Sequence, residues 1–264
     1  MLNVKPSNAD DTALLVKGVR EAGETARKFF GGSYRQWDKS KGNPVTEADV
    51  EIDAHLRRVF LAERPDYGWL SEESEDDPSR LERSRVFVVD PIDGTHGFIR
   101  GRPHFTIVAA VVENGRPVSA AIYNPISEEM YVASKGMGAQ LNSLPIRVST
   151  QDNLAGARLL APRDIGNDPQ WRSAFPKTTQ IENRASIAYR LALVAEGRHD
   201  AVISLSEKHD WDLAAGDLIL HEAGGRVTSQ GGALLRYNCV KPLQRGVVCA
   251  GPALHQMILD LLQP

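Results

Sequence analysis

The chain has 264 residues, 42% of them hydrophobic, which suits one large domain or two modest ones that share a core. Its formal net charge is -3, so it lacks the basic excess typical of proteins that bind nucleic-acid polymers. Its two cysteines predict neither a disulfide framework nor a zinc site, and its apolar runs are too short to span a bilayer, so we expect a soluble cytoplasmic protein with no membrane partner.

The first third of the chain is predicted to be mainly helical. Asp10 and Asp11 are candidate N-caps for "TALLVKGVREAGETARKFF", whose apolar residues recur on one helical face before "GG". Residues 31–45 are polar and glycine-rich and are predicted to form a loop. A second amphipathic helix is predicted from about Asp49 to the "RP" that follows Glu63.

The periodicity changes to that of strands at Val86. The segment "VFVVD" is typical of a buried strand, and 105–142 contains several strand-forming runs separated by the hairpin signals "ENGR", "NPIS" and "KGMG". This pattern predicts a mostly antiparallel sheet packed against the two helices.

Beyond Leu144 and Pro145, strands and helices alternate. We predict strands near 157–161, 200–205 and 246–250, and helices at 185–196, 212–223 and 252–262. Two closely packed lobes are therefore expected: an N-terminal α+β lobe at 1–147 and a C-terminal α/β lobe at 148–264.

Two aspartates at the end of the buried strand carry the first chemical signal. In "VFVVDPIDGTHGF", Asp90 and Asp93 lie where burying a carboxylate costs several kcal/mol. Like charges about 4 Å apart repel by roughly 4 kcal/mol at an effective dielectric of about 20, so such a pair favours a bound cation. Oxygen ligands without nearby His or Cys point to Mg²⁺, and the Ile92 carbonyl is expected to face the same point.

Gly94 and Thr95 follow these aspartates directly. Glycine permits a close backbone approach, the amides at the start of a helix bind anions, and the Thr95 hydroxyl can orient a water molecule. An ordinary Asp-Gly turn would have the same residues, so further acidic stretches are needed to decide.

Three further acidic stretches are each ambiguous alone. Thr46 and Asp49 in "GNPVTEADVEID" match a helix N-terminus, and capping by itself would explain Asp49. Glu72 follows the apolar "GWL", as a solvated loop acid also would. Asp212 starts the helix of "WDLAAGDLILHEAGG", where capping again explains it, and the small residues of that helix predict close packing.

In this order, the acidic elements resemble the inositol monophosphatase family of Mg²⁺-dependent, lithium-sensitive phosphomonoesterases. The resemblance covers about residues 10–260, with "DPIDGT" at 90–95 and "WDLAAGDLILHEAGG" at 211–225 as its signatures. It implies a layered αβαβα sandwich of the sugar phosphatase type, a small phosphorylated metabolite as substrate and two to three Mg²⁺ ions. A homodimer is implied by the habit of the family alone.

The resemblance also implies residue roles. The metal ions would be held by Glu72, Asp90, the Ile92 carbonyl, Asp93 and Asp212. Asp49, Glu72 and Thr95 match positions that orient and activate the attacking water, with Thr46 close by. Gly94 and Thr95 would donate to the phosphate, and Asp93 and Asp212 would also face the substrate. Hydrolysis would then proceed by direct attack of a metal-activated water, in keeping with the lack of a G-x-S-x-G nucleophile motif.

The substrate stays open at this point. Relatives active on inositol phosphates carry a glutamate six residues before Trp211, where this chain has Leu205. The stretch "THGFIRGRPHFTI" is more similar to branches that cleave 3'-phosphoadenosine 5'-phosphate or histidinol phosphate, so both these and inositol monophosphate are retained.

The leaving-group pocket is predicted at 183–190 and 204–210, with Arg184, Glu207, Lys208 and His209 as candidate contacts. Solvated loop side chains are the alternative interpretation of each of these residues. An alternative of another class is a catalytically silent family member that binds metal and a phosphorylated ligand.

Overall fold

Two long helices form one outer layer of the molecule. In the computed structural model, which describes residues 6–162, 165 and 173–262, α1 spans Asn8–Phe29 and α2 spans Glu47–Glu63. Helix α1 starts after Ser7, whose Oγ accepts a hydrogen bond from the Asp10 amide. The prediction that Asp10 or Asp11 caps this helix was therefore wrong by one turn. Asp11 is buried instead, and Arg85 donates to its carboxylate over 2.6 Å.

The segment between these helices is a hairpin, which the prediction of a loop at 31–45 missed. Strand β1 (Gln36–Ser40) pairs antiparallel with β2 (Asn43–Thr46), and Gly42 takes a positive φ of 79° at the turn. Every residue of β1 is exposed. The hairpin therefore has no alternation of apolar and polar residues that sequence periodicity could detect.

The first large sheet has seven strands, and its spatial order is the chain order. They are β3 (Gly68–Ser71), β4 (Arg85–Asp93), β5 (Thr106–Glu113), β6 (Arg116–Asn124), β7 (Glu129–Ser134), β8 (Ala139–Leu141) and β9 (Leu144–Pro145). Strands β3 and β4 are parallel, with a 3₁₀ turn at Pro78–Glu82 in their connection, and all later neighbours are antiparallel. The predicted, mostly antiparallel sheet is confirmed.

The second large sheet is mixed and follows the first in sequence. Its strands are β10 (Arg158–Leu160), β11 (Gln180–Glu182), β12 (Ala201–Ser204), β14 (Arg226–Thr228) and β16 (Val247–Ala250), in the order β11-β10-β12-β16-β14. A short ribbon pairs β13 (Lys208–His209) with β15 (Leu243–Gln244). The remaining described helices are α3 (Thr95–Ile99), α4 (Ile187–Ala195), α5 (Asp210–Glu222) and α6 (Pro252–Leu262).

These elements stack in five layers. Helices α1 and α2 cover the first sheet, α4 and α5 lie between the two sheets, and α6 packs on the outer face of the second sheet. This is the predicted αβαβα sandwich. The division into lobes at residue 147 remains a prediction, although the first sheet ends at β9 and the second begins at β10.

Alternation along β4 shows how the layers are joined. Val86 and Val88 belong to the core shared with α4 and α5, whereas Phe87 and Val89 belong to the core beneath α1 and α2. Both faces of β4 are therefore buried, which explains its continuous apolar sequence. Among the described residues, no helix has the length and apolar character that a membrane span requires.

The contact between α4 and α5 depends on a glycine. A Cβ atom added to Gly216 would lie 2.7 and 2.8 Å from side-chain atoms of Leu191. We expect Gly216→Ala to destabilise the protein by about 1–3 kcal/mol, because overpacking outweighs the gain of about 1 kcal/mol in helix propensity. Denaturant unfolding measures the effect. Gly231→Ala, whose Cβ would approach nothing closer than 3.9 Å, is the control; equal stability of the two variants would contradict the packing argument.

Candidate metal and phosphate site

Strand β4 ends in two carboxylates that a bulge places on one face. Asp90 pairs with Val108 of β5 and Asp93 with Thr106, so β4 has one residue more than β5 between these pairs. Side chains of a regular strand alternate, which would direct Asp90 and Asp93 to opposite faces. The extra residue lets both carboxylates face α5, while Ile92 packs in the core beneath α1 and α2.

Asp212 completes a group of three carboxylates. One carboxylate oxygen from each of Asp90, Asp93 and Asp212 lies within 4.8 Å of the other two. Asp212 stands in the first turn of α5, where its Oδ2 accepts a hydrogen bond of 2.7 Å from the His209 amide. Asp212 can therefore cap α5 and also belong to the carboxylate cluster, because the cap uses only one of its two carboxylate oxygens.

Asp93 also joins β4 to the start of α4. Its Oδ2 accepts hydrogen bonds from the Ser186 hydroxyl at 2.5 Å and the Ala188 amide at 2.6 Å, and its Oδ1 accepts one from the Ile187 amide at 3.3 Å. These donors belong to the N-terminus of a helix, where a negative charge is stabilised. Asp93 therefore has a structural role in addition to any role in binding.

Burial and mutual repulsion raise the pKa values of this group. Burial raises the pKa of Asp212 to about 8, and the charges of Asp93 and Glu72 contribute to the shift. Burial also raises the pKa of Asp93 to about 6, although its hydrogen bonds from Ser186 and Ala188 oppose the shift. The pKa of Asp90 is raised well above its usual value by burial and then by Glu72. The cluster holds more negative charge than it can keep at neutral pH without a cation.

The residues present fit a divalent cation. Asp90 Oδ1 is buried and has no hydrogen-bond partner in the described part of the chain, although the great majority of buried polar atoms have one. An unsatisfied carboxylate oxygen among other carboxylates suits a hard cation such as Mg²⁺, which prefers oxygen ligands. A cation would both satisfy Asp90 and remove the repulsion within the cluster.

Glu72 lines the same cleft but is paired with a lysine. Lys39 of the β1–β2 hairpin donates to Glu72 Oε1 over 2.9 Å and to Glu73 Oε1 over 2.8 Å. Burial would lower the pKa of Lys39, but these two carboxylates raise it. Burial raises the pKa of Glu73 to about 7, and Lys39 opposes that shift. The hairpin thus places a cation on one predicted metal ligand, a contact that the sequence did not indicate.

Asp49 and Thr95 form a hydrogen-bonded pair beside the carboxylates. Asp49 stands in the first turn of α2 and accepts bonds from the Thr46 amide and hydroxyl at 2.8 and 2.5 Å, the capping interaction that the sequence allowed. The Thr95 hydroxyl lies 3.2 Å from Asp49 Oδ1 and 3.0 Å from the Ile92 carbonyl oxygen. Burial raises the pKa of Asp49 to about 6. Because both neighbouring groups are acceptors, the Thr95 proton points to one of them, and the lone pairs of its oxygen are left for another donor.

A cleft of about 490 Å³ opens onto these residues. Most of the predicted site residues line it, namely Glu72, Asp90, Ile92, Asp93, Gly94, Thr95, Arg184 and Asp212. Basic and imidazole side chains that sequence reasoning missed also line it: His96, Arg100, Arg102 and His104. Arg190 lines it too; it lies in the predicted stretch 183–190 but was not named as a contact. A detectable signal existed for Arg190, because it is the one charged residue in the otherwise apolar run of α4.

Three of the predicted leaving-group contacts lie outside this cleft. Glu207 is exposed, and Lys208 donates to Ser206 Oγ over 2.6 Å. His209 stacks on Trp211 with 4.4 Å between ring centroids and an interplanar angle of 4°. None of the three lines the cleft, so the structure lends no support to 204–210 as part of the pocket.

The fold and the site together define a layered α/β protein with a carboxylate centre suited to divalent cations. A family model described as the inositol monophosphatase family matches residues 8–264. The chain belongs to the inositol monophosphatase family, which confirms the resemblance predicted from its motifs.

Curated relatives and solved structures agree with this assignment. The chain is 31% identical over 261 residues to an inositol-1-monophosphatase of Rhizobium meliloti, which covers 95% of each chain. It is 33% identical over 233 residues to a protein of Xylella fastidiosa named Nus factor SuhB, covering 83% of this chain and 82% of that one. The crystal structure of the extragenic suppressor protein SuhB from Bartonella henselae has a TM-score of 0.83 at 27% identity, covering 95% and 97% of the two chains.

The raised pKa values predict a pH-dependent stability. Asp212, Asp93 and Asp49 keep their protons to about pH 8, 6 and 6 in the folded state, whereas unfolded aspartates release them near pH 4. The contribution of these three carboxyl groups to the free energy of unfolding is therefore fully present below about pH 4 and is lost as pH rises through 6 to 8. Without divalent cations, we expect the melting temperature to fall between pH 5 and 8.5.

Saturating Mg²⁺ should reverse this fall by about 5–10 °C at pH 8, as expected for a ligand at about 100 times its Kd. Thermal melts across pH with Mg²⁺ or EDTA measure both effects. Asp212→Asn should flatten the pH dependence. Melting temperatures insensitive to both pH and Mg²⁺ would contradict the cation site.

Proposed function

We propose that the protein is a Mg²⁺-dependent phosphomonoesterase that acts on a small phosphorylated metabolite. The observation that carries the proposal is the convergence of Asp90, Asp93 and Asp212, with an orphaned oxygen on Asp90, in a cleft next to the Asp49–Thr95 pair. Glu72, Asp90, the Ile92 carbonyl, Asp93 and Asp212 are the proposed ligands for two to three ions. Bound Mg²⁺ would polarise the phosphoryl oxygens, lower the pKa of water and stabilise the departing alkoxide.

The chain's own residues orient the attacking water. Because the Thr95 hydroxyl points its proton toward Asp49 or the Ile92 carbonyl, its oxygen can accept a hydrogen bond from a water molecule in the cleft. Ionised Asp49 holds that orientation, and its negative charge favours transfer of a proton from the water toward the Asp49–Thr95 pair. With the pKa of Asp49 at about 6, this arrangement is available at neutral pH.

Gly94 supports the approach of the phosphate to the backbone. It has φ of 96°, and a Cβ at this position would lie 3.0 Å from the Ser186 amide nitrogen and 3.2 Å from the His104 carbonyl oxygen. A larger residue would be strained and would crowd the start of α4. The amides of Gly94 and Thr95 are the proposed donors to the phosphate.

The names of the relatives support a second candidate. Several relatives carry the name Nus factor SuhB, so membership of the family does not by itself distinguish an enzyme from a protein with another role. A catalytically silent protein that binds metal and a phosphorylated ligand is the corresponding alternative. We favour the enzyme because every carboxylate predicted to bind metal or to orient the water lines the cleft or contacts Thr95. A cytoplasmic location remains a proposal from the sequence composition, and a homodimer remains a proposal from the family resemblance.

Phosphate release tests the proposed activity. We expect Mg²⁺-dependent release from 3'-phosphoadenosine 5'-phosphate, inositol 1-phosphate, histidinol phosphate or fructose 1,6-bisphosphate, and its loss in EDTA. Asp90→Asn should abolish release and the Mg²⁺-induced thermal shift while the apo protein stays folded, because it removes repulsion within the cluster. Asp93→Asn is less informative, since Asp93 also anchors α4.

The matched control is Asp66→Asn, which changes an exposed acid outside the cleft and should leave release unchanged. Full activity of Asp90→Asn would contradict the metal assignment. A Mg²⁺-induced thermal shift without turnover of any substrate would favour the silent family member.

The role of Thr95 can be tested separately. Thr95→Val removes the hydroxyl that orients the water and should lower kcat by about 100-fold or more, with little change in melting temperature. Thr95→Ser retains the hydroxyl and should stay within about tenfold of the original kcat. Steady-state kinetics with the best substrate of the panel measures both. Equal kcat in the two variants would exclude a role for the hydroxyl.

A further inference from the structure

The segment that follows β3 carries Glu72 and leaves the sheet at that residue. The register of β3 with β4 ends at the pair Ser71–Val89, and the Glu72 amide then donates one long hydrogen bond of 3.4 Å to the Val89 carbonyl oxygen. Lys39 contacts the end of the Glu72 side chain, but it belongs to β1, a strand that is exposed along its whole length. The sheet and the hairpin therefore give the backbone at Glu72 little support, whereas a metal ligand requires a fixed position.

Asp53 of α2 holds this segment on both sides of its two glutamates. Asp53 Oδ1 accepts a hydrogen bond of 2.5 Å from the Ser71 hydroxyl, and Oδ2 accepts one of 2.5 Å from the Ser74 hydroxyl. Trp69 Nε1 donates to the Ser74 oxygen over 3.1 Å and so helps to fix that hydroxyl. Because the two serines directly flank the glutamates, one carboxylate sets the position of both ends of this four-residue stretch.

The burial of Asp53 is costly, and the helix itself does not account for it. The residue is 7% exposed, and the groups that donate to its carboxylate are neutral hydroxyls. A carboxylate in such surroundings costs more to bury than an apolar side chain of similar size. The N-terminal cap of α2 is formed by Thr46 and Asp49, so Asp53 is not needed to begin the helix. A firm hold on residues 71–74 does account for an acid at this position.

Asp53 lies one helical turn beyond Asp49. Residues four apart lie on one face of a helix, and both aspartates are buried on α2, which packs against β4. Asp49 accepts a hydrogen bond from the Thr95 hydroxyl directly. One rigid helix therefore carries the carboxylate proposed to orient the water and also, through Asp53, supports the segment that carries Glu72.

We propose that Asp53 is a positioning residue for the metal centre, which acts through the Ser71 and Ser74 hydroxyls to fix Glu72 where its carboxylate binds a divalent cation. This inference rests on the proposed function, in which Glu72 is a metal ligand. A ligand that is held in place beforehand loses less conformational freedom when the cation binds. Removal of such supporting groups typically weakens metal binding by about 10-fold to 100-fold.

Binding of Mg²⁺ in the absence of substrate tests this inference. Calorimetric titration of the protein with Mg²⁺ gives the Kd, and a thermal melt of each variant reports its stability. We expect Asp53→Ala to raise the Kd by about 10-fold or more, because the segment with Glu72 loses both of its anchors. Asp53→Asn should stay within about threefold of the wild-type Kd, because its amide group can accept from one serine and donate to the other.

Two further variants separate positioning from a general loss of stability. Ile258→Val removes a methyl group from the core beneath α6, away from the cleft, and should lower the melting temperature without changing the Kd for Mg²⁺. Ser74→Ala removes one of the two hydroxyl donors and should raise the Kd by about threefold or more. Because Ser74 is only partly buried, this variant serves if Asp53→Ala does not fold.

The outcomes separate the inference from the proposed function. If Asp53→Ala or Ser74→Ala binds Mg²⁺ with the wild-type Kd, the inference is wrong and the phosphatase function stands. If Asp53→Asn or Ile258→Val weakens binding as much as Asp53→Ala does, the hydrogen bonds to the serines are not the cause, which also overturns the inference. If the wild-type protein binds no Mg²⁺, both proposals fail together.

Discussion

The hydrogen bonds of the Asp93 carboxylate are the interaction on which the rest of the site depends. They join the end of β4 to the first turn of α4, and so connect the first sheet to the middle helical layer. The same carboxylate belongs to the cluster with Asp90 and Asp212. A charge that would be unfavourable among other carboxylates is stabilised because it lies at the N-terminus of a helix. This anchor sets the position of Arg190, one turn further along α4.

Unsatisfied groups of opposite charge face the same cleft. Among the described residues, Asp90 Oδ1 and two nitrogens of Arg190 are buried without hydrogen-bond partners. The charge of Arg190 acts on Asp93 and Asp212, which belong to the same cluster as Asp90. The apolar cores above and below β4 and α4 hold these groups in place, so the fold tolerates their cost. A cation and an anionic ligand would satisfy both at once. The groups that lower the stability of the ligand-free protein are therefore the same groups that are available to bind ligands.

The sequence predicted those parts of the fold and site that depend on local pattern. Long amphipathic or apolar segments identified the helices and the large sheet, and "DPIDGT" identified Asp90, Asp93 and Thr95 because its chemistry lies within a few adjacent residues. The β1–β2 hairpin was missed because exposed strands lack apolar alternation. Lys39 was missed for the same reason, since its contact with Glu72 exists only once that hairpin folds over the cleft. Glu207 remains a predicted contact that the cleft lining does not support, because the sequence does not tell which side chain of a loop faces the cleft.

By itself, the sequence determined the family, since two contiguous motifs carry the resemblance, and that resemblance implied the layered α/β class and the carboxylates proposed to bind metal. The tertiary structure alone decided that a bulge in β4 places Asp90 and Asp93 on one face and that Asp212 meets them. It also decided that Arg190 is buried near Asp93 and Asp212, with no hydrogen-bond partner for its Nε and Nη1 among the described residues. The physical reason is that burial and mutual distance depend on packing between layers that are far apart in the chain. A residue's identity is local, but its charge state and its partners are set by the whole fold.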